Sequence, residues 1–135
     1  MTGFKKLTPV LLVDAVEVGV AFWVDRFGFA LGPSVPGPDG KLTFAIVSKG
    51  PVEIMYQTRA SVLAEEPEAG RLTRANELAG HSVALYFEVD AIEPVETALA
   101  GAQITKPRHD TFYGTTEIYA LEPGGNWVGF AAPKA

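Results

Sequence analysis

The pentapeptide Val13-Asp14-Ala15-Val16-Glu17 returns as Val89-Asp90-Ala91-Ile92-Glu93, so that position 13 reappears at position 89, an offset of 76. A repeat of that size inside 135 residues leaves room for two copies of one supersecondary unit and little else. Each copy follows an alternating apolar stretch and opens a helical pattern. That context places Asp14 and Asp90 as N-caps with Glu17 and Glu93 three residues on, a relative of the capping box. The first copy continues with a helix from about Ala15 to Phe27, whose Val16, Val20, Trp23 and Phe27 fall on one face. Three extended segments follow, Phe29 to Val35, Leu42 to Ser48 and Val52 to Thr58, separated by Pro36-Gly37-Pro38-Asp39-Gly40 and by Gly50-Pro51. The second copy keeps the order: strand Ser82 to Val89, helix Ile92 to Ala100, then strands Gln103 to Lys106, Thr115 to Leu121 and Trp127 to Ala132. The chain therefore reads as one α+β domain, residues 1–135, of two βαβββ modules. Module one covers 5–58 and module two 81–133, with a charged, Ala-rich, partly helical connector over 59–80.

Alternation within the strands separates two faces. Val83, Leu85, Phe87 and Val89 form an apolar face for a helix, while Ser82, Ala84, Tyr86 and Glu88 point the other way. Val128 and Phe130 likewise oppose Trp127, Gly129 and Ala131. A face mixing small, aromatic and acidic groups is the kind of surface that takes a small ligand. Composition removes other classes. With no cysteine there is no disulfide framework, no Cys-type zinc site and no thiol nucleophile. A formal charge of −5 argues against nucleic acid as a partner. Residues 1–58 carry five basic and five acidic side chains, and residues 59–135 six basic and eleven acidic, a bias compatible with a cationic ligand and equally with plain solubility. No apolar run approaches the roughly 20 residues of a membrane helix, and the start is too short for a signal peptide, so no membrane partner and a cytoplasmic location are expected. Gly40-Lys41 has Val35 where a phosphate loop needs its first glycine, and no Gly-x-Ser-x-Gly elbow occurs.

Two segments resemble a known family. Phe22-Trp23-Val24-Asp25-Arg26-Phe27-Gly28-Phe29 is similar to the aromatic helix end of the vicinal oxygen chelate superfamily, and Tyr113-Gly114 leading to Glu122-Pro123-Gly124-Gly125-Asn126 is similar to its last hairpin. That superfamily includes glyoxalase I, ring-cleaving dioxygenases, fosfomycin resistance enzymes and bleomycin resistance proteins. The resemblance covers nearly the whole chain and implies modules whose mixed sheets curl around a cavity, the glyoxalase/bleomycin resistance fold. Its metal-dependent members hold a divalent ion with His or Glu from the first and last strand of each module. Those places fall on Thr8, Glu53, Ala84 and Gly129, which pair under the same offset of 76. Only Glu53 is a donor, and a catalytic ion needs about three protein ligands, so no metal and no cofactor are expected. His81, three residues before Ala84 and so on the opposite strand face or in the preceding loop, and His109, in the loop from Pro107 to Asp110, do not restore the set.

Members without those ligands, the bleomycin resistance type, are dimers that bind a drug between subunits through aromatic stacking and acidic groups. The mixed faces here offer Glu53, Met55, Gln57, Tyr86, Glu88 and Trp127, and Phe112 and Tyr113 stand in a loop that could close over a ligand. The resemblance thus implies a metal-independent homodimer that binds a small molecule, an antibiotic or another aromatic or cationic compound. The alternative is a lyase, isomerase or dioxygenase. Glu53 would serve as general base, with Tyr86 or Tyr113 as acid, or as part of a nonstandard metal site. A carboxylate on a sheet needs a partner or a shifted pKa, and Glu53 is expected to show one or the other. Glu117 and Tyr119 share a face of their strand, but its direction depends on bulges that the sequence does not reveal.

Overall fold

The computed structural model describes residues 2–65 and 83–135. Module one consists of β1 (Val10–Val13), α1 (Val16–Phe27), β2 (Ala30–Pro36), β3 (Leu42–Lys49) and β4 (Val52–Thr58), followed by a short α2 (Arg59–Glu65). Module two consists of β5 (Leu85–Glu88), α3 (Glu93–Ala98), β6 (Gln103–Asp110), β7 (Thr115–Leu121) and β8 (Trp127–Pro133). Each module forms a four-stranded sheet, in the orders β1-β4-β3-β2 and β5-β8-β7-β6. In each, the first strand runs parallel to the last and the other neighbours are antiparallel. This is the two-module α+β architecture read from the repeat. The remainder of the connector, His81 and Ser82 lie outside the described residues. No helix among the described residues is long and apolar enough to cross a membrane.

The repeat is less uniform than one offset suggests. Val10 pairs with Met55 across β1 and β4, and Tyr86 pairs with Gly129 across β5 and β8. Going from 10 to 86 is an offset of 76, but going from 55 to 129 is one of 74. Module two is two residues shorter before its last strand, and Gly129 therefore stands where Met55 does, not where Glu53 does. The helix starts also differ from expectation. Ala15, not Asp14, is the N-cap of α1, and Ile92, not Asp90, is that of α3; neither helix has a side-chain cap. Asp14 instead accepts a bond from Arg59 Nη1 at 3.0 Å, and Glu17 accepts one from the Leu42 amide at 2.7 Å, tying α1 to the start of β3. Ala15 remains extended, which delays the first helical turn past the aspartate. At the other end α1 stops where expected. Gly28 takes φ 73° and donates its N–H to Val24 O at 3.1 Å, a left-handed cap that glycine adopts without steric cost.

The helix-bearing sides of both sheets share one core. Trp23, 1% exposed, lies between them: its ring is 5.3 Å from Phe29, 5.2 Å from Phe87 of β5 and 6.3 Å from Phe130 of β8. Phe130 also stacks on Phe27 and Phe87, at 5.1 and 5.3 Å. A buried polar chain crosses the same junction. Trp23 Nε1 donates to Tyr56 Oη (2.9 Å), and Tyr56 Oη donates to Glu122 Oε2 (2.6 Å). Glu122 Oε1 in turn receives the backbone N–H and side-chain Nδ2 of Asn126 (2.7 and 2.6 Å). The acid of the Glu122-Pro123-Gly124-Gly125-Asn126 turn thus organises its own hairpin with one oxygen and binds module one with the other. Because both helix sides are used in this joint core, the mixed faces of the two sheets turn away from it, and each is open.

Candidate ligand-binding site

On the open face of module two, cross-strand pairing lines up two rows. Residues directly opposite one another share a face, so one row reads Tyr86, Gly129, Tyr119, Lys106 and the next Glu88, Ala131, Glu117, His109. His109 belongs to a strand and not to a loop, in contrast to the sequence reading. Register shifts on either side of Lys106 carry the β6 ladder to Asp110 and set His109 opposite Glu117. The small residues in the rows make room for large ones. Tyr119 lies over Gly129 so closely that a Cβ there would come 2.3 Å from its ring, leaving no space for any side chain. Tyr119 also packs against Trp127, with centroids 4.9 Å apart, while its other neighbour His109 is 6.3 Å away. Trp127 Nε1 donates to Thr105 Oγ1 at 2.9 Å, which fixes the indole at the edge of the face.

At the centre is Glu117, 1% exposed and held by four hydroxyls. Tyr86 donates to Oε2 at 2.6 Å and Thr115 to Oε2 at 2.9 Å. Tyr119 donates to Oε1 at 3.0 Å, and Tyr113 reaches both oxygens at 3.0 Å. Burial works to raise the Glu117 pKa, but the bonds from Tyr86, Thr115, Tyr113 and Tyr119 outweigh it and hold the group below the ordinary carboxylate value. The phenols move oppositely. The bond to Glu117, then burial, pushes Tyr86 up to about 12; burial, then the same carboxylate, pushes Tyr119 to about 12. Tyr113 is raised by burial and by Glu117, against the opposing bonds of Thr111 and Thr115. At neutral pH the cluster is one carboxylate and three protonated phenols.

The signs follow from linkage. The contribution of Glu117 is present above the unfolded carboxylate pKa and is lost as pH falls through its lower folded value. That of the phenols is present below the ordinary phenol value and is lost as pH rises through about 12. The remaining tyrosine, Tyr56, is raised by burial and by Glu122. All four tyrosines of the chain are therefore shifted upward. A spectrophotometric titration is expected to show no phenolate near the free value of about 10, and Glu117→Gln is expected to bring Tyr86, Tyr113 and Tyr119 back toward it. A quarter of the phenolate signal appearing near that value in the unmodified protein would mean that one of the four is not held against its carboxylate, Glu117 or, for Tyr56, Glu122.

Of the residues singled out from sequence, Tyr86, Tyr113 and Trp127 come together here. Glu88 lies exposed on the same face at the end of β5, and Phe112, fully exposed, sits edge-on to Tyr113 at 5.1 Å in the loop beside it. Glu53, Met55 and Gln57 do not join them, because they lie on β4 in the other sheet. Glu53 has the partner it was expected to need, Lys6 Nζ at 2.8 Å, with Thr8 Oγ1 at 3.5 Å. Gln57 Nε2 donates to Ser61 Oγ at 3.2 Å. The residues that sequence reasoning left undecided, Glu117 and Tyr119, turn out to organise the site. The available signal was their shared parity with each other, and the missing fact was the register of β7 against β8.

A family model for the glyoxalase/bleomycin resistance protein/dioxygenase superfamily matches residues 7–130. The chain belongs to that superfamily. Solved structures with the same fold include TioX from Micromonospora sp. ML1, with a TM-score of 0.71 and 20% identity, covering 96% of this chain and 99% of that one. A superfamily enzyme from Burkholderia phytofirmans PsJN gives 0.69 and 22%, over 93% and 96% of the two chains. Lactoylglutathione lyase from Agrobacterium tumefaciens gives 0.68 and 17%, over 97% and 95%. No curated protein sequence matches the chain.

The residues present do not fit the divalent ion that the superfamily implies. Thr8 precedes β1 and reaches Glu53 of β4 at 3.5 Å, and Glu53 is already paired with Lys6. Ala84 and Gly129 have no side-chain donor, the Tyr119 ring covers Gly129, and the β4 residue that register matches to Gly129 is Met55, whose thioether is a soft ligand. Among the described residues no group of three or more His, Cys, Asp or Glu side chains is arranged to hold a metal.

Proposed function

We propose that this superfamily member is a metal-independent small-molecule-binding protein that sequesters an aromatic or cationic compound, such as an antibiotic, on the open face of module two. The observation that carries the reading is the exposed aromatic surface of Tyr86, Tyr113 and Trp127 assembled around the buried, ionised Glu117. Flat rings offer stacking partners, and a carboxylate beneath them favours positive charge above. The protonation states favour holding a ligand over transforming it. Glu117 is a weaker base and the tyrosines weaker acids than their free counterparts, the reverse of what proton transfer at neutral pH requires. A homodimer is part of the proposal, with Phe112, fully exposed in the loop beside the face, as the apolar group that a second copy would cover.

Fluorescence titration of metal-stripped protein against a panel of aromatic and cationic antibiotics is the test. Trp127 is expected to report binding because the second tryptophan, Trp23, is buried, and Trp127→Ala is expected to weaken a hit by about tenfold or more. Binding that needs an added divalent ion, or that Trp127→Ala leaves unchanged, would overturn the reading. Sedimentation velocity of the same sample checks the dimer, and a monomer at binding concentrations would remove that part.

A further inference from the structure

The hydrogen count at Glu117 says which kind of ligand the face accepts. An ionised carboxylate has about four acceptor positions, and Tyr86, Tyr113, Tyr119 and Thr115 all donate to it. Each phenol has a single hydrogen, so the three phenolic oxygens are left with lone pairs only. His109 stands beside this centre with Nδ1 2.8 Å from Pro107 O, and because a carbonyl can only accept, that contact occupies the Nδ1 hydrogen. Trp127 has a donor, but Thr105 Oγ1 accepts it, so the hydrogen left at that edge of the face is the one on the Thr105 hydroxyl. Resting on the reading above that this face binds a small molecule, we propose that its polar centre is an acceptor-only array selective for a nitrogen group that donates several hydrogen bonds, an amidinium, guanidinium or primary ammonium attached to an aromatic ring.

A carboxylate or phosphate ligand meets no available hydrogen at this centre and the charge of Glu117 beneath it, so the array excludes anions by chemistry as well as by sign. The upward shifts of the tyrosines agree, since phenols that resist ionisation keep their hydrogens on Glu117. Lys106 stands beyond Tyr119 in the same row, on the exposed edge strand β6, and is the group through which an anion would defeat the selectivity.

Benzamidine, benzamide and benzoate share a ring and a planar substituent and differ in hydrogens and charge, so they separate this inference from the reading beneath it. Saturable changes at Trp127, assigned by their loss in Trp127→Phe, are expected for benzamidine at least about tenfold below the concentration that benzoate requires. Glu117→Gln presents an amide that donates to phenolic oxygens and turns their hydrogens outward. Its benzamidine-to-benzoate preference is expected to fall to within about threefold. Benzoate binding as tightly as benzamidine to the unmodified protein overturns the selectivity and leaves the binding face intact. Absence of a saturable change with all three overturns both. The comparison on the unmodified protein decides the matter even where Glu117→Gln does not fold.

Discussion

Glu122→Ala is expected to destabilise the protein by about 2–4 kcal/mol, since it strips the acceptor from buried donors at about 1–3 kcal/mol for each that water cannot reach. Glu122 is buried and accepts from the Tyr56 hydroxyl, the Asn126 amide and the Asn126 side chain. The alanine leaves all three donors without an acceptor. Asn126 is half-buried and can turn to water, but Tyr56 is fully buried and cannot, so the larger share of the loss falls on the link between modules. Urea unfolding measures the change. Glu122→Gln, which keeps a carbonyl oxygen in place, is expected to lose about 1–2 kcal/mol. A loss below about 1 kcal/mol for the alanine variant would show that the polar chain contributes little beyond the aromatic core.

Trp23→Ala is expected to cost about 3–5 kcal/mol, the usual range for removing a large buried ring. Five aromatic rings surround Trp23, those of Phe22, Phe27, Phe29, Phe87 and Phe130, and the last two come from module two. The same substitution removes the Nε1 donor to Tyr56. Against a typical total stability of about 5–15 kcal/mol, either variant brings a domain of this size near its unfolding threshold. The two effects share Tyr56, so the double variant is expected to fall short of the sum by roughly 0.5–3 kcal/mol, readable from a double-mutant cycle in urea. Additive losses would place the aromatic and polar contacts in separate units.

The module plan was legible because its signals are local. Strand alternation repeats every two residues and helical burial every three or four, so Val16, Trp23 and Phe27, or Val128 and Phe130, declare their shared side without reference to the rest of the chain. Helix starts were less secure. Asp14 had the right residue type one position before the actual N-cap, and Arg59, 45 residues away, engages it instead. The constant offset misled for a similar reason. A repeat detected at the helix start carries no information on how many residues the later loops hold, and module two reaches its last strand two residues early.

What the amino-acid sequence determined by itself is the architecture: two βαβββ units with their inward and outward faces. The tertiary structure alone decided which outward residues meet. Parity tells which side of a strand Glu117 occupies relative to Tyr119, but the convergence of hydroxyls from β5, β7 and the Phe112-Tyr113 loop on one carboxylate depends on the ladder and its bulges. The same dependence kept Glu53 out of the site, since it lies on the other sheet and Lys6 reaches it first. Local period is a property of neighbouring residues, whereas register is settled by pairing between distant ones, and it was register that assembled the cluster around Glu117.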